Sequence, residues 1–100
     1  MNKIFIEFPK PIWPKDWPGF SILWDEIDLQ EIRKRRDNWI EDVFGFYTVD
    51  HQPNILCGWI SGVNGRKMEL DSEHDVLQSC RFLLNRFLSW DIPKDLAIKR

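Results

Sequence analysis

WIEDVFGFYTVDHQPNILCGWI, residues 39–60, decides how the chain is to be read. Trp39 to Val49 and Ile55 to Ile60 are rich in β-branched and aromatic residues, which suit a pleated, half-buried surface. Between them, Asp50-His51-Gln52-Pro53-Asn54 supplies turn chemistry. The stretch predicts a hairpin of strands 3 and 4. Gly45 and Gly58 fall inside the two runs, which points to a bulge or to close approach of another backbone.

Working outward towards the amino terminus, residues 2–8 alternate, with Ile4, Ile6 and Phe8 on one face and Lys3, Phe5 and Glu7 on the other. A period of two predicts strand 1, expected at a sheet edge. Residues 9–19 carry four prolines, each removing a donor and fixing φ, so this segment is an ordered loop bearing Trp13 and Trp17. Phe20 to Trp24 reads as a short strand 2. Asp28 to Asn38 is strongly charged and supports at best one or two helical turns, with the Arg33 to Arg36 run as a solvated face neutralised by neighbouring acids.

Towards the carboxyl terminus, Ser61 to Glu69 is a turn leading into a short helical stretch. Asp71-Ser72 marks a helix start, with Glu73 and Asp75 where the positive end of the helix dipole favours anions. Val76, Leu77, Cys80, Leu83, Leu84, Phe87 and Leu88 form one apolar stripe, predicting a long amphipathic helix over about 72–89. Lys94 to Arg100 shows no cap or period that would close a domain. The expected fold is α+β: an antiparallel-rich mixed sheet of about four strands, one long helix on one of its faces and a short helical turn.

One hundred residues form one domain at most. With 43% hydrophobic residues, 14 Lys+Arg against 16 Asp+Glu and a net charge of −2, the chain is too apolar for disorder and too balanced to favour nucleic acid. No apolar run approaches a membrane span and no signal peptide opens the chain, so it reads as a soluble protein of a reducing compartment. Six Trp and seven Phe are far above ordinary usage. They demand either one accommodating core or burial against something outside the chain.

Reactive groups are few. His51 lies in the hairpin turn and His74 in the first turn of the long helix, positions of solvated or capping residues, and no metal site is expected. Cys57 and Cys80 read as buried small hydrophobes. The glycines between Gly58 and Gly65 lack the lysine of a phosphate loop and the spacing of a dinucleotide fingerprint. Residue pattern alone makes Lys3 a solvent-exposed edge charge. A desolvated lysine in an aromatic strand can also act in proton transfer or hold a water.

Taken together in order and spacing, residues 2–8 (NKIFIEF), 11–14 (PIWP), Gly45-Phe46, residues 54–62 (NILCGWISG) and Met68-Glu69 resemble the flavin-dependent amine oxidases, and among them the polyamine (spermine and N-acetylpolyamine) oxidases. The family pattern is a strand NKIFLEF, a P-F-W motif shortly after it, a strand ending L-x-G-W-x-x-G, an M-E pair and an amphipathic helix led by acidic residues. The resemblance implies that residues 1–100 are part of the substrate-binding domain, whose sheet roofs the FAD held by a separate Rossmann-like domain. The FAD-binding segment itself is not among these residues, so the chain alone is expected to be inactive and without FAD. The chain reads as a piece, as a truncated gene product, a decayed copy or an excised fragment would.

By position, the resemblance places Lys3 on the lysine that holds a water against the flavin N5, and Trp13 in the cover near the substrate channel. The reaction it implies is oxidation of a secondary amine of spermine or an acetylated polyamine, with oxygen reduced to peroxide. Its implied partners are the polyamine substrate and the missing FAD-binding domain, in a cytoplasmic or peroxisomal setting. An alternative is a non-catalytic interaction module or regulatory copy that docks on a full-length relative. Gly65 stands where the family usually has Ala, a change expected to weaken the short helix by about 1 kcal/mol.

Overall fold

The computed structural model describes residues 2–62 and 64–99. In chain order they form β1 (Asn2–Glu7), β2 (Gly19–Ser21), α1 (Glu26–Arg33), a 3-10 turn (Asn38–Asp42), β3 (Val43–Val49), β4 (Gln52–Ile60), α2 (Asn64–Glu69), α3 (Glu73–Phe87) and β5 (Ala97–Lys99). The strands make one five-stranded sheet in the order β2-β3-β4-β1-β5. Every described pairing is antiparallel, so the sheet is not mixed as the sequence suggested.

The predicted hairpin is present as β3 and β4, but its turn is only Asp50-His51, because Val49 already pairs with Gln52 and Gln52–Asn54 belong to β4; with β1 it forms the middle of the sheet. Ile4, Gly58, Phe46 and Phe20 align across four strands on the inner face. Ile4, Ile6, Phe8, Val43, Phe46, Leu56 and Ile60 supply the sheet side of the core. Ile32, Trp39, Ile40, Met68, Val76, Cys80, Leu83 and Leu84 supply the helical side. The α3 stripe is the largest contribution to the second layer, each fully buried aliphatic side chain stabilising by roughly 1.5–3 kcal/mol relative to exposure. Ser72 caps α3 as its position predicts, accepting from the Asp75 backbone N–H at 3.1 Å.

Several boundaries differ from the sequence reading, each for a physical reason. The long helix ends at Phe87, because Leu88 adopts an extended conformation (φ −104°, ψ 143°). Trp39 to Asp42 is a 3-10 turn and not the start of strand 3, since Trp39 and Ile40 reach the core from a tight turn anchored at Asp37. The Asp37 carboxylate accepts two hydrogen bonds from Arg35, at 2.7 and 3.0 Å, and one from Ser79 Oγ at 2.6 Å. Strand 2 is shorter than predicted and lies at Gly19–Ser21.

The one or two helical turns expected are present as α1, which begins at Glu26, two residues ahead of the stretch the sequence singled out. Its signal was Asp25, which accepts from the Asp28 N–H at 2.8 Å as a helix cap. Of the basic run behind it, Arg33, Lys34 and Arg36 are exposed and paired with acids. Arg35 is half-buried, its guanidinium 4.0 Å above the Phe82 ring.

The fifth strand is the main addition. Arg81, on α3, donates to the backbone oxygens of Pro93 (2.8 Å) and Lys94 (3.1 Å). These bonds fold the tail back so that Ala97–Lys99 pairs with Phe5–Glu7. In consequence β1 lies between β4 and β5 and is not the edge strand that its place at the start of the sequence suggested.

Most aromatic residues find each other within the chain. Trp17 contacts Trp13, Phe20 and Trp90, and Phe87 contacts Phe20 and Trp24, with ring centroids 5.1–6.3 Å apart. Trp39 is fully buried and donates its Nε1–H to Asp71 at 3.1 Å. Trp24 Nε1 is buried with no described partner. Cys57 and Cys80 are both buried, as expected; burial alone pushes the Cys80 thiol up to about 12.

Candidate active-site face of the sheet

Because side chains alternate along a strand, the residues opposite the core line the outer face in cross-strand rows. One row runs Lys3, Trp59, Gly45, Ser21; the next runs Lys99, Phe5, Cys57, Tyr47, Gly19. The buried side chains of the helices all join the core on the other face. The outer face therefore presents Lys3 and Phe44 exposed and Phe5, Tyr47 and Trp59 half-buried.

The two strand glycines that the sequence singled out shape this face. A β-bulge between Val43 and Gly45 keeps Val43 in the core and turns Phe44 outward, its ring 6.4 Å from Trp59. At Gly45 a Cβ would lie 2.3 Å from Tyr47 Oη, so the missing side chain is what lets the phenol fold across the strand to hydrogen-bond Ser21 Oγ at 2.8 Å. Gly58 does the same on the inner face, where a Cβ would stand 2.6 Å from the Phe46 ring.

Lys3 carries its ammonium on this surface. Its Nζ lies 4.4 Å from the centroid of the Trp59 ring. No described carboxylate forms an ion pair with it. Its charge reaches Cys57, whose thiol is pushed up by burial and drawn partly back by the Lys3 ammonium. Beside Lys3 a cleft of about 380 Å³ opens between β1, the end of α2 and the start of α3, and its charged lining is Lys3, Lys99, Glu69, Asp71 and Glu73. An ammonium with its donors unspent by a carboxylate can hold a water or another oxygen acceptor.

Trp13, the other residue singled out, sits elsewhere. It packs edge-on against Phe8, with centroids 5.0 Å apart, and Phe8 belongs to the inner face at the far end of β1. Trp13 also lines a separate groove of about 600 Å³ with Pro11, Pro14, Trp17 and Pro18. The fold thus does not bring Trp13 and Lys3 together. Trp59 escaped notice as a site residue, because alternation gives each strand its faces but says nothing about which residue of strand 4 stands opposite Lys3.

Among the described residues no group of three His, Cys, Asp or Glu could hold a metal ion, and no helix is long and apolar enough to cross a membrane. Dinucleotides are held by a parallel strand-turn-helix unit with a glycine-rich turn. The described pairings are all antiparallel, so the described residues contain no such unit and do not make a dinucleotide phosphate cradle.

The chain matches the flavin containing amine oxidoreductase family over residues 1–100 and belongs to it. Among curated proteins it is 33% identical over 89 residues to the peroxisomal N(1)-acetyl-spermine/spermidine oxidase of Bos taurus, and 30% identical over 89 residues to the Homo sapiens protein of the same description. Each match covers 85% of this chain and 17% of the relative. The chain therefore spans about a sixth of the length of these relatives. Full-length members of the family use FAD.

Proposed function

We propose that residues 1–100 are the sheet-bearing part of the substrate-binding domain of an FAD-dependent polyamine oxidase, acting on a secondary amine of spermine or an acetylated polyamine. The observation that carries this reading is the Lys3 ammonium on the outer sheet face, with no ion pair to a carboxylate among the described residues. The flavin, when bound, supplies acceptance of hydride from the carbon beside the amine and passes the electrons to oxygen, giving peroxide. What this chain adds is a wall of the site and a donor: Lys3 holds a water at the flavin N5 and moves or orients a proton there, without bonding covalently to the amine. Trp13 and its proline-rich loop form part of the cover near the substrate channel. The setting is peroxisomal or cytoplasmic.

On this reading the 100-residue chain needs a flavin-holding domain to be active. Purified chain mixed with FAD is expected to lose the flavin absorbance band on gel filtration and to release no peroxide from spermine; a retained band would overturn the assignment of these residues to a single wall. Within a complete oxidase carrying this segment, Lys3→Met should preserve the flavin spectrum while slowing flavin reduction or reoxidation about 10²- to 10³-fold in stopped flow. Amine affinity should change less, because the lysine contacts the water and not the substrate body. Half-reactions within a factor of two of the wild type would reduce Lys3 to a surface charge.

A further inference from the structure

Lysine carries four rotatable bonds, so an exposed lysine sweeps a wide volume unless something holds its head. A carboxylate would do so at the cost of neutralising the charge and occupying its N–H donors. An aromatic face attracts the cation through the ring quadrupole and leaves those donors for an acceptor beyond it. Lys3 has the second arrangement: Trp59 stands directly opposite it in the β1–β4 register, and Nζ lies 4.4 Å from the ring centroid.

The indole has a second aromatic neighbour: the bulge at Val43/Gly45 turns Phe44 outward on β3, the strand that borders β4 on the side away from β1, with its ring 6.4 Å from Trp59 and inclined by 32°. This contact has a sequence cause: an aromatic residue turned outward by one extra backbone unit in β3.

We infer that Trp59 is the positioning residue for Lys3, fixing the ammonium over the sheet so that its donors face an oxygen acceptor, with Phe44 as buttress. The catalytic consequence rests on the role proposed above for Lys3; the positioning itself does not.

Two measurements keep these apart. In the 100-residue chain, the ε-methylene protons of Lys3 should show an upfield ring-current shift by NMR, assigned by its disappearance in Lys3→Met. The shift should be lost in Trp59→Leu, retained in reduced form in Trp59→Phe, and diminished in Phe44→Leu, which leaves the indole in place. A Lys3 methylene at the position of a free lysine in the wild type, or unmoved in Trp59→Leu, overturns the inference whatever the kinetics. In a complete oxidase carrying the segment, Trp59→Leu should slow the half-reaction governed by Lys3 roughly tenfold, with Trp59→Phe restoring most of the rate. The Lys3→Met/Trp59→Leu double variant should be no slower than Lys3→Met, since a residue that acts through another adds nothing once that other is gone. Additive losses would overturn the positioning role. A silent Lys3→Met alongside an intact ring-current shift would instead remove the catalytic role of Lys3 and leave the positioning standing.

Discussion

At position 58 the space for a single methyl group is already taken: a Cβ there would stand 2.6 Å from Phe46 Cε1 and 3.0 Å from Cδ1. Phe46 is fully buried, so its ring cannot swing aside. Gly58→Ala is expected to cost about 1–3 kcal/mol as an overpacked core. For a domain of this size each kcal/mol lowers the melting temperature by roughly 4–8 °C, so a melt unchanged within a degree would show that the strands separate without strain. Gly65 reads differently in the structure than in the sequence. A Cβ there would meet Asn2 Nδ2 at 2.7 Å, and that amide donates to Glu69 Oε1 at 2.9 Å. The glycine thus admits a contact between α2 and β1 while sacrificing helix propensity.

Asp37 shows why acid should loosen the fold. Burial opposes its charge, but hydrogen bonds from Arg35 and Ser79 outweigh that and hold the carboxyl below its ordinary value. A folded value below the unfolded one means stability that is present above the unfolded pKa, near 3.9, and is lost as pH falls towards the folded value. Asp37→Asn should lose about 2 kcal/mol at pH 7, a figure discounted because Arg35 is partly exposed. The variant should also show a smaller fall in urea midpoint between pH 7 and pH 3 than the wild type. An equal fall in both would assign acid sensitivity to other carboxylates.

At the scale of elements, β5 depends on a side chain in α3. Three residues make too short a strand to hold itself, and Arg81 ties the approach to it through two carbonyls. Arg81→Ala should therefore raise amide exchange in β5 and in Phe5–Glu7 on that side of β1, while the β3–β4 ladder keeps its protection. Uniform loss of protection would show instead that β5 and the core unfold as one unit. Elements of this kind were not legible in the sequence: Ala97–Lys99 has neither alternation nor length, and its strand state comes from the open edge of β1 it meets. The hairpin and α3 were legible, since each carries its own period and its own turn or cap.

Across the whole molecule, the aromatic residues divide. Trp13, Trp17 and Trp90 pack against one another and Trp24 against Phe87, which answers most of the demand their number creates, the buried Trp24 Nε1 excepted. The outer face keeps Phe5, Phe44 and Trp59 partly exposed, and Leu23, Ile27 and Leu70 are 75–86% exposed elsewhere. An exposed apolar face of this kind should bind a hydrophobic dye or drive self-association of the isolated chain, with Phe44→Glu reducing either. A sharp, cooperative melt of a monomer that binds no dye would show the face to be satisfied as it stands.

The amino-acid sequence by itself determined what depends on local period and on short-range chemistry. The two faces of β1 follow from alternation, α3 from its apolar stripe and the Ser72 cap, the hairpin from its turn, and the family resemblance from ordered motifs. Only the tertiary structure decided which residues meet across strands. Pairing register, the placement of β1 between β4 and β5, the turn at Asn38–Asp42 and the meeting of Lys3 with Trp59 depend on contacts between segments tens of residues apart, whose pairing no local pattern encodes. Lys3 makes the difference plain: its exposure was readable from its own strand, whereas the aromatic ring that holds its charge comes from a residue 56 positions away.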